Sequence, residues 1–114
     1  MKQDALQMSL LFDYYGELLS EKQRVCFDLY YNQDLSLSEI ASELGITRQG
    51  VHDSLSRAET ALGEFERVTG CIARDRRTAK ALDKIAGACR KLQSIPEARE
   101  AAQEILAAGT SIKE

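Results

Sequence analysis

The sequence has little of what interrupts helices or builds sheets. It contains a single proline, Pro96, in 114 residues, so helices can run over long stretches without a break. Alternating runs of β-branched and aromatic residues are missing, and neither Asn-Gly nor Asp-Gly occurs as a hairpin turn. The residues that dominate instead, such as Leu, Ala and Glu, favour helices. The sequence therefore predicts an all-α fold without a sheet.

Long apolar runs are also lacking. No stretch approaches the roughly 18 apolar residues that cross a bilayer, and the chain starts with the polar segment Met1-Lys2-Gln3-Asp4. This pattern predicts neither secretion nor membrane insertion. We expect the protein to reside in the cytoplasm.

Groups that carry out chemistry are scarce as well. The three cysteines, Cys26, Cys71 and Cys89, lie far apart and lack the close pairs that a zinc site needs. The only histidine, His52, has no partner in the sequence that would complete a triad or a metal site. A glycine-rich phosphate loop is absent. The sequence predicts no catalytic residue, no metal site and no cofactor, and thus a binding protein and not an enzyme.

A basic surplus is the last missing feature. The chain has 15 basic and 18 acidic residues, which gives a net charge of −3. DNA-binding domains of this size normally carry a basic surplus, because phosphate neutralisation supplies much of their affinity. The charge is uneven, however: residues 20–70 hold five basic and nine acidic groups, and residues 71–114 hold nine and six. Any phosphate-binding surface is therefore expected in the second part.

What the sequence does contain is a series of helix starts. Ser20, Ser36 and Ser94 are each followed three residues later by Gln or Glu, which is typical of a capping box at a helix N-terminus. A chain of this length fits one domain, so we predict a single helical domain over residues 1–114. The predicted helices cover about 3–15, 21–33, 37–44, 48–69, 74–92 and 96–108.

The segment 36–55, SLSEIASELGITRQGVHDSL, has the pattern of a helix-turn-helix. Ile40 and Val51 occupy core positions of the two helices. Gly45 can take the left-handed conformation that ends the first helix, and Thr47 can cap the second. The fourth helix also carries a long apolar stripe, whose predicted members are Val51, Leu55, Ala58, Leu62, Phe65 and Val68.

Two resemblances follow from these motifs. Together with LSEKQRVCFDLYY at 19–31, residues 19–62 resemble the fourth region of bacterial sigma factors, which contacts promoter elements. Residues 1–92 resemble the YlxM family, through LLFDYYGELL at 10–19, TRQGV at 47–51 and the long helix that follows. The resemblance implies an all-α fold with a sigma-region-4-type helix-turn-helix, an additional N-terminal helix and further C-terminal helices. It also implies a link to the signal recognition particle, with binding to the particle or its RNA as the activity.

Candidate nucleic-acid contacts fall on two helices. On the recognition helix they are Arg48, Gln49, His52 and Arg57. Asp53 on the same face would be repelled by phosphate, and the surrounding segment is acidic, which disfavours DNA. A second set follows in segment 71–114, which contains a basic helix and a C-terminal helix. Its members are Arg74, Arg76, Arg77, Lys80, Lys84, Arg90 and Lys91.

The second set has a local surplus of five positive charges, since only two acidic residues lie among its seven cations. On a helix, three-, four- and seven-residue steps place five of these cations in one stripe: Arg74, Arg77, Lys80, Lys84 and Lys91. A positive stripe suits the phosphates of folded RNA. The same charges also fit a solvated helix face, or contacts with acidic faces of this protein's own helices.

Three functions remain open from the sequence. The first is a regulatory accessory of the signal recognition particle that binds its RNA or its GTPase. The second is a DNA-binding transcription regulator, and the third is a helical protein-interaction module. The first helix is apolar around much of its circumference, so we also expect a homodimer, formed through this helix or through the long fourth helix.

Overall fold

The structure, a computed structural model, describes residues 4–113. Within these residues every regular element is helical and no strand occurs, which confirms the predicted all-α fold. The helices are α1 (Ala5–Tyr15), α2 (Glu21–Phe27), α3 (Leu37–Leu44), α4 (Arg48–Thr69), α5 (Cys71–Leu92) and α6 (Arg99–Lys113). Short helical turns occupy Gly16–Leu18, Asp28–Asn32 and Pro96–Ala98.

The chain groups into two compact units, one up to Gly70 and one from Cys71 onward. The first contains α1 to α4, and the second contains α5 and α6. The second unit has the same bounds as the segment 71–114 for which a basic helix and a C-terminal helix were predicted. That residues 1–114 form one domain stays a prediction.

Local hydrogen bonds set the starts of two helices in the first unit. The hydroxyl of Ser20 accepts from the Gln23 N–H at 3.2 Å, and the Gln23 side chain accepts from the Ser20 N–H at 3.2 Å. Ser36 and Glu39 form the same reciprocal pair at 3.1 Å and 2.9 Å. Each box satisfies two backbone N–H groups that have no partner within the helix. Two of the three predicted capping boxes are therefore confirmed.

The boundaries in the second unit differ from the prediction. Ser94 does not cap a helix, because its hydroxyl donates to the Lys91 carbonyl oxygen at 2.9 Å. The helix predicted from 74 begins at Cys71, directly after Gly70 ends α4 in the left-handed conformation at φ 63°. The last helix continues to Lys113 and not to 108. The predicted start of the first helix, at residue 3, lies outside the described residues.

An aromatic stack forms the centre of the first unit. Phe27 is fully buried, and its ring lies 4.6 Å from that of Phe12 and 4.4 Å from that of Tyr31. Tyr31 reaches this position from a π-helical turn, in which the Gln33 N–H donates to the Asp28 carbonyl oxygen. The widened turn was not predicted, because residues 21–33 read as one continuous helix. It redirects the tyrosine onto the core.

Helix α4 provides the main packing surface for α1, α2 and α3. Of its predicted stripe, Leu55, Ala58 and Leu62 are buried as expected. Val68, the last member of the stripe, is 69% exposed. At this end of the helix the contact with α1 is polar: the Tyr15 hydroxyl donates to Glu66 at 2.6 Å.

The second unit is a helical pair in which α5 packs against α6. Small side chains lie at the contact, with Cys89 3% exposed and Ala102 1% exposed. Gly109 of α6 faces Leu82 of α5, because a Cβ placed there would lie 3.7 Å from a methyl carbon of that leucine. The apolar side of α5 is thus directed to α6.

Candidate nucleic-acid interface

The turn between α3 and α4 has the geometry of a helix-turn-helix. Gly45 ends α3 with φ 67° and ψ 34°, in the left-handed region that favours glycine. The N–H groups of Gly45 and Ile46 both donate to the Ala41 carbonyl oxygen. Ile40 and Val51 on either side of the turn are fully buried. The predicted helix-turn-helix positions are therefore confirmed, and they direct the opposite side of α4 to solvent.

The recognition face of α4 begins after Thr47, whose hydroxyl accepts from the Gly50 N–H at 2.9 Å. All four residues predicted to contact nucleic acid from this helix are exposed: Arg48, Gln49, His52 and Arg57. Their exposure leaves them accessible to a partner. Whether they bind nucleic acid stays a prediction.

Asp53 brings two of these side chains together. Its carboxylate accepts from Gln49 Nε2 at 3.0 Å and lies 3.6 Å from His52 Nδ1. The two arginines are nine residues apart, which places them on opposite sides of the helix. The middle of the face is therefore a carboxylate with its own partners, and no cationic cluster forms there. Such a surface suits the negative backbone of a DNA duplex poorly.

Acidic side chains in the same unit remain ionised at neutral pH. The Ser36 backbone N–H donates to Glu39, and this bond lowers the pKa of Glu39 below its usual 4.5. The Arg67 guanidinium likewise donates to Glu64 at 2.9 Å and lowers the pKa of Glu64. Both carboxylates thus contribute fully to the excess of nine acidic over five basic residues in 20–70.

Helix α5 carries the second set of predicted contacts. The following seven cationic residues are all exposed on it: Arg74, Arg76, Arg77, Lys80, Lys84, Arg90 and Lys91. Arg77, Lys84 and Lys91 recur every seven residues, and Lys80 lies beside them on the same side of the helix. We call these four residues the α5 row.

The remaining three cations lie at the margins of the row. Arg74 donates to the sulfur of Cys71 at 3.5 Å. Arg90 lines a groove between α5 and α6 together with Leu82 and Leu106. By its place in the helical repeat, Arg76 lies at the same margin as Arg90, and Arg74 lies at the opposite margin. The structure therefore orders the seven predicted cations into a central row of four and three flanking residues.

A polar depression of 260 Å³ between α2 and α4 was not predicted. Its polar lining residues are Ser20, Lys22, Gln23, Asp53, Ser54 and Arg57. Only Arg57 belonged to the predicted sites. The one available signal was Ser54, a serine among the inward apolar positions of α4. The residues from α2 could not be assigned to this place from spacing, because they meet α4 only in the folded chain.

Comparison with known protein families matches residues 2–102 to the UPF0122 model, described as "Putative helix-turn-helix protein, YlxM / p13 like". The match includes both the helix-turn-helix and the whole of α5. The chain belongs to the UPF0122 family. This confirms the resemblance to the YlxM family. The description of the family thus agrees with the helix-turn-helix between α3 and α4.

Relatives of this UPF0122 chain align with its sequence over most of their own length. A UPF0122 protein of Thermoanaerobacter sp. (strain X514) is 49% identical over 85 residues, which is 75% of this chain and 73% of the relative. A UPF0122 protein of Caldanaerobacter subterraneus subsp. tengcongensis is 46% identical over 85 residues, which is also 75% of this chain and 73% of the relative. A UPF0122 protein of Symbiobacterium thermophilum is 43% identical over 82 residues, 72% of this chain and 77% of the relative.

Residues 4–113 of this UPF0122 chain contain no group of three or more His, Cys, Asp or Glu side chains placed to hold a metal ion. None of the helices in that range combines the length and the apolar character that crossing a membrane requires.

Proposed function

We propose that this protein is a regulatory accessory of the signal recognition particle that binds the RNA of the particle through the α5 row. It acts as a binding protein and not as an enzyme. The observation that carries the proposal is the exposure of Arg77, Lys80, Lys84 and Lys91 on one side of α5. The resemblance to the YlxM family supplies the identity of the particle.

The dimensions of the row support RNA as the ligand. Arg77 and Lys91 are 14 residues apart, which corresponds to about 21 Å along the helix axis. A straight line of cations of this length can follow several phosphates of a folded RNA, whose shape and backbone are what most double-stranded RNA binders recognise. Phosphate contacts also release counterions, which strengthens binding at low salt.

An acidic surface of the particle's GTPase is the second ligand of the same row. It would meet the same cations, but an exposed ion pair contributes only about 0 to 1 kcal/mol to binding. RNA gains more because each phosphate neutralised also releases counterions. The helix-turn-helix then serves as a scaffold and a secondary contact through Arg48 and Arg57.

Recovery of the tagged protein from cells, with its bound RNA and proteins identified, tests this function. We expect the RNA of the particle to be enriched, and ribonuclease treatment to remove it. The untagged strain is the control for background RNA. If only the GTPase is recovered, and nuclease treatment does not change its recovery, the protein is a protein-interaction module and does not bind the RNA. Enrichment of a DNA sequence that Arg48→Ala with Gln49→Ala abolishes would support a transcription regulator and contradict our proposal.

We propose further that two copies associate through α1. Leu6, Leu10 and Tyr14 recur every four residues on its outer side, and Leu6 is 84% exposed. Leu18 and Val68 in the same unit are 64% and 69% exposed. A symmetric contact would place the same apolar side chains on both copies and remove them from water.

Leu6→Glu is expected to weaken this self-association at least tenfold, because the contact would bury an unpaired charge. Sedimentation equilibrium over a range of protein concentrations measures the effect. Thr60→Glu adds the same charge at an exposed position of α4 and serves as the matched control. A wild-type protein that stays monomeric at high micromolar concentration would rule out the dimer.

A further inference from the structure

The polar depression between α2 and α4 contains a buried hydroxyl that the fold does not use. Ser54 is only 6% exposed, and among the described residues its Oγ has no hydrogen-bond partner. Its neighbours in the helical repeat, Val51 and Leu55, are core residues. Buried polar atoms in native proteins are nearly always hydrogen-bonded, so an exception requires a reason.

The other side chains of the depression include several hydrogen-bond donors. The oxygens of Ser20 and Gln23 already accept from backbone N–H groups in the capping box. Each oxygen keeps one lone pair, and the Ser20 O–H and the Gln23 side-chain N–H groups remain as donors. Lys22 and Arg57 add two positive charges and further donors.

One group in the depression opposes an anion. Asp53 lines it as well, but one of its carboxylate oxygens accepts from Gln49 at 3.0 Å. The two cations exceed this single negative charge. The depression thus combines a net positive charge, several donors and an unused hydroxyl, and these groups together suit a small anion rich in acceptor oxygens.

We propose that this depression binds one phosphate group, with Lys22 and Arg57 supplying charge and with Ser20, Gln23 and Ser54 supplying hydrogen-bond donors. Its volume of 260 Å³ lies below the roughly 300 to 1,000 Å³ of sites that enclose a whole small molecule. The phosphate therefore belongs to a larger molecule that extends into solvent. Two sources share this chemistry: the backbone of a nucleic-acid strand and a free nucleotide. The site does not depend on the α5 row.

Titration of the wild-type protein with inorganic phosphate at constant ionic strength, followed by backbone amide NMR shifts, tests the site. We expect saturable shifts at Gln23, Gly50 and Ser54. Arg57→Gln is expected to lower the phosphate affinity about tenfold, since it removes a charged hydrogen-bond donor. Arg67→Gln removes an exposed cation outside the depression and is expected to leave the affinity unchanged. Asp53→Asn is expected to raise it.

Ser54→Ala separates ligand binding from a structural role. It is expected to weaken phosphate binding several-fold while the free protein melts at the same or a higher temperature, because it removes a buried hydroxyl that the fold leaves unpaired. A fall in melting temperature together with affinity would instead show that the serine only supports the fold. That result would overturn its assignment as a ligand group.

The source of the phosphate is resolved by two further titrations, with adenosine monophosphate and with a single-stranded RNA oligonucleotide. If the oligonucleotide saturates the shifts of the same amides at a lower concentration of phosphate groups than adenosine monophosphate does, the ligand is a strand backbone. If the nucleotide saturates them and the oligonucleotide does not, the ligand is a free phosphate compound. Shifts that do not saturate, or that Arg57→Gln and Arg67→Gln change equally, would contradict the site.

Discussion

Replacing Arg77, Lys84 and Lys91 together by glutamine is expected to lower RNA affinity by on the order of 500-fold at 0.1 M salt. Each phosphate that a cation neutralises changes log K by about 0.7 to 0.9 per tenfold change in salt concentration. Three such contacts therefore contribute about two to three decades of RNA affinity over a tenfold fall in salt concentration. The slope of log K against log salt should become shallower by about the same two to three. All three side chains are exposed, so the fold should be unaffected.

A matched control uses cations outside both sets of predicted contacts. Arg24, Arg67 and Arg99 are also exposed, and their replacement by glutamine changes the net charge by the same amount. Filter binding or fluorescence anisotropy at several salt concentrations measures both variants. We expect the control to retain the wild-type affinity within about threefold, because it removes only long-range charge that salt screens. If the control loses affinity and the α5 variant keeps it, the α5 row does not bind the RNA.

Phe27→Ala is expected to lower the free energy of unfolding of the first unit by about 3 to 5 kcal/mol. The ring is fully buried, and it stacks on Phe12 on one side and Tyr31 on the other. Its removal leaves a cavity and breaks two aromatic contacts, each of which adds about 0.5 to 1.5 kcal/mol. Small domains have only about 5 to 15 kcal/mol in total, so the loss is a large part of their stability.

Urea denaturation followed by circular dichroism measures this loss. Tyr14→Ala, measured like Phe27→Ala at a concentration at which the protein is monomeric, serves as the control, because Tyr14 is 40% exposed and belongs to the outer side of α1. We expect it to change the stability by about 1 kcal/mol or less. An equal effect of the two substitutions would contradict a core centred on Phe27.

Features that depend on residues three or four apart in sequence could be predicted. Ser36 and Glu39 cap α3, Gly45 ends it, and Thr47 caps α4. Each of these contacts forms within one helical turn, so the residue types and their spacing are sufficient to recognise it. The exception was Ser94, where the same spacing occurs but the hydroxyl bonds backward to Lys91. At Ser94 the chain is still in the turn that follows α5, so no helix begins there.

Charge placement could be predicted in part. The seven cations of α5 were found from composition, and their exposure in the structure agrees with a surface role. The engagement of Gln49 and His52 by Asp53 could not be predicted, because side chains that share a helix face have several possible partners. The depression at Ser54 was missed for a related reason, since Lys22 and Arg57 are 35 positions apart in the sequence.

The sequence by itself determined the helical class, the helix-turn-helix and the separation of charge between residues 20–70 and 71–114. These depend on composition and on contacts within a turn. Only the tertiary structure decided how the π-helical turn places Tyr31 on Phe27, how Tyr15 meets Glu66 from 51 residues away, and which groups line the depression. Such contacts join residues distant along the chain, and their geometry depends on the packing of whole helices, which no local periodicity specifies.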